Sequence, residues 1–388
     1  MSTAFRIPHS PFRIAVVGVS TRAVAQSAAR AGYEIVAVDL FGDLDQKRAV
    51  RTLSLRHDLG GPFDVWRLVE ATRAQRADAV AYVAPFENHP EAVAALAAPG
   101  AATARSPRLL GNVPATLEAV RDPWRLAPVV AIAGATMPET LPPGARPDPA
   151  GQWLRKRRKS GGGLRIEAWT GVVPDDRAWL VQRRVRGAPR SVAFVANGRE
   201  ALVFAVTRLL SGDRNFGAPG LAYTGNLLDP APNAGLLDQL RRLATILTRE
   251  FGLVGLNGVD FIATDPALTV LEVNPRYSAS MELAEQALGV PLFEWHVAGC
   301  YGRPLPPLPT YRESQVLGKA IVYAGRDVTL GDTSDWPARG RRDVPHPGER
   351  IRARHPICTL FAAGTNEPDC YAALLAQAAD LRCEINDD

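Results

Sequence analysis

Two acids and an amide stand close together late in the chain. Asp260 lies in Gly258-Val-Asp260-Phe-Ile262, and Glu272 and Asn274 lie in Val270-Leu-Glu272-Val-Asn274-Pro275-Arg276. Both runs are rich in β-branched and aromatic residues. Thr264-Asp265-Pro266-Ala267 between them reads as a turn, so the spacing predicts a β-hairpin. Alternate strand residues share a face. Glu272 and Asn274 therefore point the same way, and a paired Asp260 reaches the same space. Two carboxylates and an amide oxygen form a hard, all-oxygen set, which Mg²⁺ takes when nucleotide phosphates complete its octahedron. Arg276, further along that face, adds a planar fork suited to phosphate or carboxylate. A solvated strand face would carry the same residue types. Apolar Leu271 and Val273, and a Pro275 that gives up a ladder donor, favour a site instead.

Such a hairpin needs elements to hold it. Residues 12–40 read strand, helix, strand, the opening of a doubly wound parallel α/β unit. The first turn, Gly18-Val-Ser20-Thr21, lacks the glycine pattern of a dinucleotide site, so Asp39 at the second strand's end reads as a cap. A helix from Val65 to Arg76 and a strand from Ala79 to Val83 follow. Phe86-Glu87-Asn88-His89-Pro90 then falls at a strand's carboxyl end, where ligands collect in such sheets. The same residues also read as the start of a helix over 91–98. Residues 106–150 read as mostly helical and then proline-rich, a stiff connection. Beyond them, Trp153-Leu-Arg-Lys156-Arg-Arg-Lys159 runs straight into Ser160, Gly161, Gly162 and Gly163. Glycines let backbone N–H groups wrap phosphate oxygens, and Lys156 adds charge. A strand at Trp179–Gly187, a meander over 191–206 and a helix at Leu236–Phe251 lead into the Asp260 hairpin.

Composition narrows the classes. With 388 residues the chain has room for two or three domains. Hydrophobic content of 46% and charged content of 22% are those of an ordinary globular protein, and no apolar run is long enough for a membrane span. Cys300, Cys358, Cys370 and Cys383 form no close pair, so a reducing cytoplasm is expected. The net charge of +5 fits a nucleotide or polyacid site as well as nucleic acid. Nucleic-acid binding is not expected, because the basic run over 155–159 lacks interleaved aromatics. The six histidines show no ligand spacing.

In this order, the α/β unit, the Lys strand with its Gly-rich loop, the second strand and the Asp…Glu-x-Asn hairpin resemble the ATP-grasp superfamily of carboxylate–amine ligases. The resemblance covers roughly residues 12–330. It implies two α+β subdomains closing over ATP. Lys156 would contact the nucleotide phosphates, and Ser160 to Gly163 would form a mobile lid over them. The backbone of Arg184 and Val185 would hold the adenine edge, with Gln182 near its amine. Asp260, Glu272 and Asn274 would hold Mg²⁺, and Arg276 would steady the transferring phosphoryl group. Arg183 and Pro189 depart from the usual pattern and leave the ribose contacts unassigned. The implied division is an N-terminal α/β domain over 1–105, a linker and first subdomain over 106–190, a second subdomain with the hairpin over 191–310, and a C-terminal α+β extension over 311–388.

Within the superfamily, Asp39…Asp43-x-Asp45 and Glu87-Asn88-His89-Pro90 are similar to ligases of C1-carrier coenzyme biosynthesis, such as the tyramine–glutamate ligase of methanofuran assembly. The resemblance implies an ADP-forming carbon–nitrogen ligase acting on a small carboxylate such as glutamate and an amine, with a homodimer left open. Glu87, Asn88, Tyr223 and Arg276 would line the acceptor pocket, Arg276 facing a carboxylate and Glu87 an incoming ammonium. Two alternatives keep the fold: N-carboxylation of a metabolite, or a nucleotide-binding regulator without chemistry.

Overall fold

Alternation along its strands decides where the first sheet sits. In the strand Arg13–Val17, Ile14 and Val16 face one core, and Ala15 and Val17 face another. The next strand, Glu34–Asp39, divides its residues the same way. A strand apolar on both faces belongs in a parallel sheet covered by helices on each side. The computed structural model, which describes residues 12–99, 106–171, 178–264, 267–307, 311 and 315–387, shows that sheet. Its order is Arg51–Ser54, Glu34–Asp39, Arg13–Val17, Ala79–Tyr82 and Arg108–Leu110, all parallel. The last strand lies beyond residue 105, where the unit was expected to close. Three residues are too few to show a period, so this strand is not visible in the sequence. Residue 105 itself, residue 310, and Asp265 and Pro266 of the expected hairpin turn lie outside the described residues. Asp39 caps its strand as expected: its carboxylate accepts from Thr21, Gly42 and Gln46.

Residues 140–183 build a four-stranded sheet in which Trp153–Arg157 runs antiparallel to Ile166–Ala168 and to Trp179–Arg183. The larger sheet has seven antiparallel strands. Ala267–Asn274 forms one edge, followed by Val254–Thr264, Pro189–Asn197, Ala201–Ser211, Tyr223–Asp229, Val316–Tyr323 and Pro356–Gly364. The last two strands come from the segment expected to be a separate extension. They continue the same sheet, because Asn226 pairs with Lys319. Helix Ala234–Phe251 lies across this sheet, burying Leu240, Leu243, Ala244 and Leu247 at helical spacing. Asn233 caps its start by accepting from Leu236 N–H, and Gly252 ends it in the left-handed region. Among the described residues no helix is long and apolar enough to cross a membrane.

The parallel sheet and the large sheet share one core, which runs from Ile14 and Val16 through helix Leu292–Cys300 to Ala193 and Val195. His296 on that helix ties the parts together. Its Nδ1 accepts from Leu256 N–H, and its Nε2 lies 3.1 Å from Leu110 O. Burial pushes this imidazole down to about 4. A free histidine titrates near ~6.5. The stabilisation is therefore complete above about 6.5 and is lost as pH falls towards about 4. The urea midpoint should fall across that window, and less steeply in His296→Gln. A second expectation concerns Gly225, where a Cβ would stand 2.0 Å from Lys319 O. Gly225→Ala should cost about 1–3 kcal/mol in denaturant unfolding, since the two strands must part to admit the methyl.

Candidate functional site

Strand register brings the hairpin's acids face to face. Asp260 pairs with Glu272 and Gly258 with Asn274, the register shifting just after Asp260. On its other side Asp260 pairs with Ser191. Directly opposed residues project to the same face, so the two carboxyls share a small recessed volume with Asn274, whose Nδ2 donates to Asp260 Oδ2 at 3.1 Å. Burial, then the charge of Glu272, pushes the Asp260 carboxyl up to about 6 against hydrogen bonds from Ser191 and Asn274. Burial also opposes ionisation of Glu272, but Lys156 and Arg121 outweigh it and hold that carboxyl down to about 2. One acid is fixed as a carboxylate, and its neighbour is poised to take a proton or a cation. Asp260, Glu272 and Asn274 Oδ1 form the oxygen set that a hard divalent ion takes.

The basic partners come from other parts of the fold. Lys156 Nζ reaches Glu272 Oε2 at 2.9 Å from the small sheet. Arg121, at the end of helix Pro114–Arg121, approaches the same oxygen at 3.3 Å. Arg121 Nη2 also donates to Asn88 Oδ1 at 2.9 Å and to Ser160 O at 3.2 Å. Asn88 Nδ2 donates to Ser160 O at 3.4 Å. Arg276 Nη2 lies 2.7 Å from Glu87 Oε1 and 3.4 Å from Asn274 Oδ1. One polar network thus joins the parallel-sheet unit, the Gly-rich loop and the hairpin.

Glu87 is 1% exposed, and its contact with Arg276 is an ion pair off the hydrogen-bond axis. Neither Glu87 oxygen nor Arg276 Nε has a hydrogen-bond partner among the described residues. Burial resists the charge on Glu87, but Arg276 and then Arg121 keep its carboxyl below the usual range. That negative charge is matched by Arg276, so the expected pairing of Glu87 with a substrate ammonium does not follow from the geometry. Beside it opens a cavity of about 490 Å³, lined by Glu87, Asn88, Leu117, Arg121, Arg157 and Lys159 among others.

The Gly-rich loop lies against the large sheet. Tyr223 N–H donates to Gly162 O at 2.8 Å, and Ser160 Oγ donates to Arg157 O. Gly163 has φ +69°, and a Cβ there would stand 1.9 Å from Leu221 O, so only glycine fits. The Tyr223 hydroxyl donates to Asn226 Oδ1, and its carbonyl accepts from the Tyr323 hydroxyl at 2.6 Å. Tyr223 therefore stands beside the loop rather than in the Glu87 cavity. Further along, Arg184, Val185, Arg186, Gly187 and Gln152 line a second cavity of about 370 Å³. There Arg184 N–H is committed to Gln152 O at 2.8 Å, and the buried Gln182 amide donates to Thr140 Oγ1 at 3.0 Å. This segment packs against the hairpin strand that carries Asp260, since a Cβ on Gly187 would stand 2.5 Å from Ile262.

Two members of the network were not anticipated. Arg121 reads in the sequence only as a basic residue in a helix's last turn, which the helix dipole alone favours. Ser191 reads as one alternating residue in a meander, and only its register opposite Asp260 gives it a role.

A model described as "ATP-grasp domain" matches residues 120–280. Over 104 residues the chain is 31% identical to the carbamoyl phosphate synthase large chain of Myxococcus xanthus, covering 25% of this chain and 10% of that protein. The chain thus spans a small part of that relative's length. The solved L-amino acid ligase from Bacillus licheniformis superposes with a TM-score of 0.64 at 13% identity, over 95% of this chain and 97% of that one. The ADP complex of purK, an N5-carboxyaminoimidazole ribonucleotide synthetase, superposes with a TM-score of 0.67 at 16% identity, over 98% and 99%. At such identities these structures show the fold alone. The matched residues 120–280 include Arg121, Lys156, the Gly-rich loop and the whole hairpin.

Because Arg121 joins Ser160 to Asn88 and Glu272, Arg121→Ala should loosen the loop. Limited proteolysis within 160–163 is expected to speed up several-fold, and unfolding free energy to fall by about 1–3 kcal/mol. Unchanged cleavage would show that other contacts hold the loop.

Proposed function

We propose that the ATP-grasp domain makes this chain an ADP-forming carbon–nitrogen ligase that activates a small carboxylate and joins it to an amine. The observation that carries this reading is the Lys156–Glu272 contact at 2.9 Å beside an Asp260 whose charge lacks a full counter-charge. An amide does not form from a carboxylate in water until one oxygen becomes a leaving group. In the proposed reaction a carboxylate oxygen attacks the γ-phosphorus of ATP, and ADP departs. The amine then adds to the acyl carbon, phosphate leaves with the C–O bond's electrons, and the nitrogen gives up a proton.

The side chains divide the work. Lys156 and Arg276 bring positive charge to the transferring phosphoryl group, and exclusion of water makes each worth more than in solution. Asp260, Glu272 and Asn274 would hold Mg²⁺, which supplies further neutralisation of phosphate charge. Backbone N–H groups of Ser160 to Gly163 cover the phosphates, and the segment at Arg184 and Val185 takes the adenine edge. The cavity beside Glu87 and Arg121 receives the carboxylate, an amino acid such as glutamate in our reading. A place in methanofuran-type coenzyme biosynthesis, in the cytoplasm and as a homodimer, belongs to the same proposal.

The likeness to purK supports a second reading, in which bicarbonate is the activated carboxylate and the amine is carboxylated. ADP release measured across amino acids and amines, with and without bicarbonate, separates the two, and mass spectrometry of the product identifies the new bond. Glu272→Gln should slow ADP release about 100-fold or more while the protein stays folded. Turnover close to that of the unaltered protein at saturating Mg²⁺ would sink the assignment of the hairpin. Adding ATP and Mg²⁺ should also protect the 160–163 loop from protease.

A further inference from the structure

Arg22 is 1% exposed, among the largest fully buried side chains of the protein. It stands where three parts of the fold meet. Its Nη2 donates to Glu282 Oε2 at 3.0 Å, its Nε donates to Asp343 Oδ1 at 2.9 Å, and Asp45 Oδ2 lies 3.6 Å away. Lys319 Nζ donates to Glu282 Oε2 at 2.7 Å. Asp39 and Asp43 complete the group, so five carboxyls surround two cations. Burying an excess of one charge is costly unless something matches it.

Most of these acids have partners. Asp39 accepts from Thr21, Gly42 and Gln46, and Asp45 accepts from the N–H groups of Asp343 and Val344. Asp343 also accepts from the Thr359 hydroxyl. Asp43 is the exception. It is 7% exposed, yet its Oδ2 is buried with no hydrogen-bond partner among the described residues. It precedes helix Leu44–Ala49 at the N-cap, but its side chain makes no capping bond there. Burial, then the charges of Asp343, Asp39 and Asp45, pushes its carboxyl well above the usual range, and Arg22 offsets only part of this. The group opens outward at Asp343, whose side chain is 28% exposed.

The acid group adjoins the site described above. The helix that carries Glu282, Met281–Leu288, begins just after the Arg276 loop, and Lys319 Nζ also donates to Ala279 O in that loop. Tyr223, beside the Gly-rich loop, feels the charges of Glu282, Asp260 and Asp343 together.

We propose that Asp43 and Asp343 bind a primary ammonium group of the amine substrate, and that this substrate is a dibasic amine. This rests on the ligase reading. An ammonium offers three donors to an unpartnered carboxylate and balances the acid excess. A divalent ion is a poorer fit, since the neighbouring acids already accept from N–H groups. A nitrogen held among carboxylates stays protonated and cannot attack. The attacking nitrogen is therefore a second one, at the far end of the substrate from Asp43 and Asp343. It forms the bond to the acyl carbon as phosphate leaves, and its proton passes to the departing phosphate.

The test is calorimetric titration with diamines from 1,3-diaminopropane to 1,6-diaminohexane and with butylamine, against the unaltered protein and Asp43→Asn. At least one diamine should bind about tenfold tighter than butylamine, and Asp43→Asn should abolish that preference while leaving MgATP affinity unchanged. Because Asn removes a buried unpartnered acid, the melting temperature of ligand-free Asp43→Asn should hold or rise, whereas a purely structural Asp43 would make it fall. Asp343→Asn, at the exposed end, provides a second variant and should weaken diamine binding in the same way. Equal binding of diamine and butylamine, or of diamine to both proteins, overturns the proposal. Diamine binding without ADP release for any carboxylate would support the cation site and count against the ligase reading. ADP release with amines that have one nitrogen, in a protein that does not bind diamines, would overturn this inference alone.

Discussion

Two acids share one rung of a hairpin, and their mutual repulsion shapes the region around them. Register alone sets Asp260 opposite Glu272, and burial opposes charge on both unless other groups help. The help comes from a distance in sequence: Lys156 from the small sheet and Arg121 from the helix that follows the parallel sheet. Meeting on one carboxylate, they make the hairpin's electrostatics depend on how three parts of the chain are packed. The shared core explains how that packing is kept. His296 fixes helix Leu292–Cys300 to both Leu256 and Leu110, so the strand leading to Asp260 and the last parallel strand are held to one helix.

The same meeting of parts accounts for the loop. Ser160 O accepts from Asn88 and Arg121, while Gly162 O accepts from Tyr223 on the other side. A loop held by a few hydrogen bonds through its carbonyls keeps its N–H groups as the feature it can offer a ligand. Opening it breaks polar contacts that water can replace at modest cost. A lid over phosphates needs that combination, closed in geometry but lightly held.

Much of this was legible in the sequence because it is local. The hairpin announces itself by alternation around Asp260, Glu272 and Asn274. The first parallel strands announce themselves by apolar runs around Ile14 and Ile35, and the Lys strand by the basic run ending in glycines. What was hidden depends on chain folding over long separations. Nothing near Arg121 distinguishes it from any arginine closing a helix, and its role appears only when Glu272, Asn88 and Ser160 are brought to it. The strand Arg108–Leu110 is too short for a pattern. The strands Val316–Tyr323 and Pro356–Gly364 show no sign in sequence of which sheet they join. Asp43 was read only as part of the Asp39…Asp43-x-Asp45 pattern, and only the folded chain reveals that its Oδ2 is buried with no hydrogen-bond partner among the described residues.

The continuation of the large sheet into the C-terminal segment carries one more consequence. Strand Tyr223–Asp229 is central because Val316–Tyr323 pairs with it through Gly225, Asn226 and Leu227. Removed from that neighbour, it would become a sheet border presenting unsatisfied N–H and C=O groups beside buried Leu227 and Leu228. Such a border is a template for pairing with another molecule. During synthesis the chain passes through that state, since the strand that covers it emerges later. The nascent protein is therefore exposed to intermolecular strand pairing until Val316–Tyr323 arrives, and its solubility in that interval depends on how quickly that strand docks.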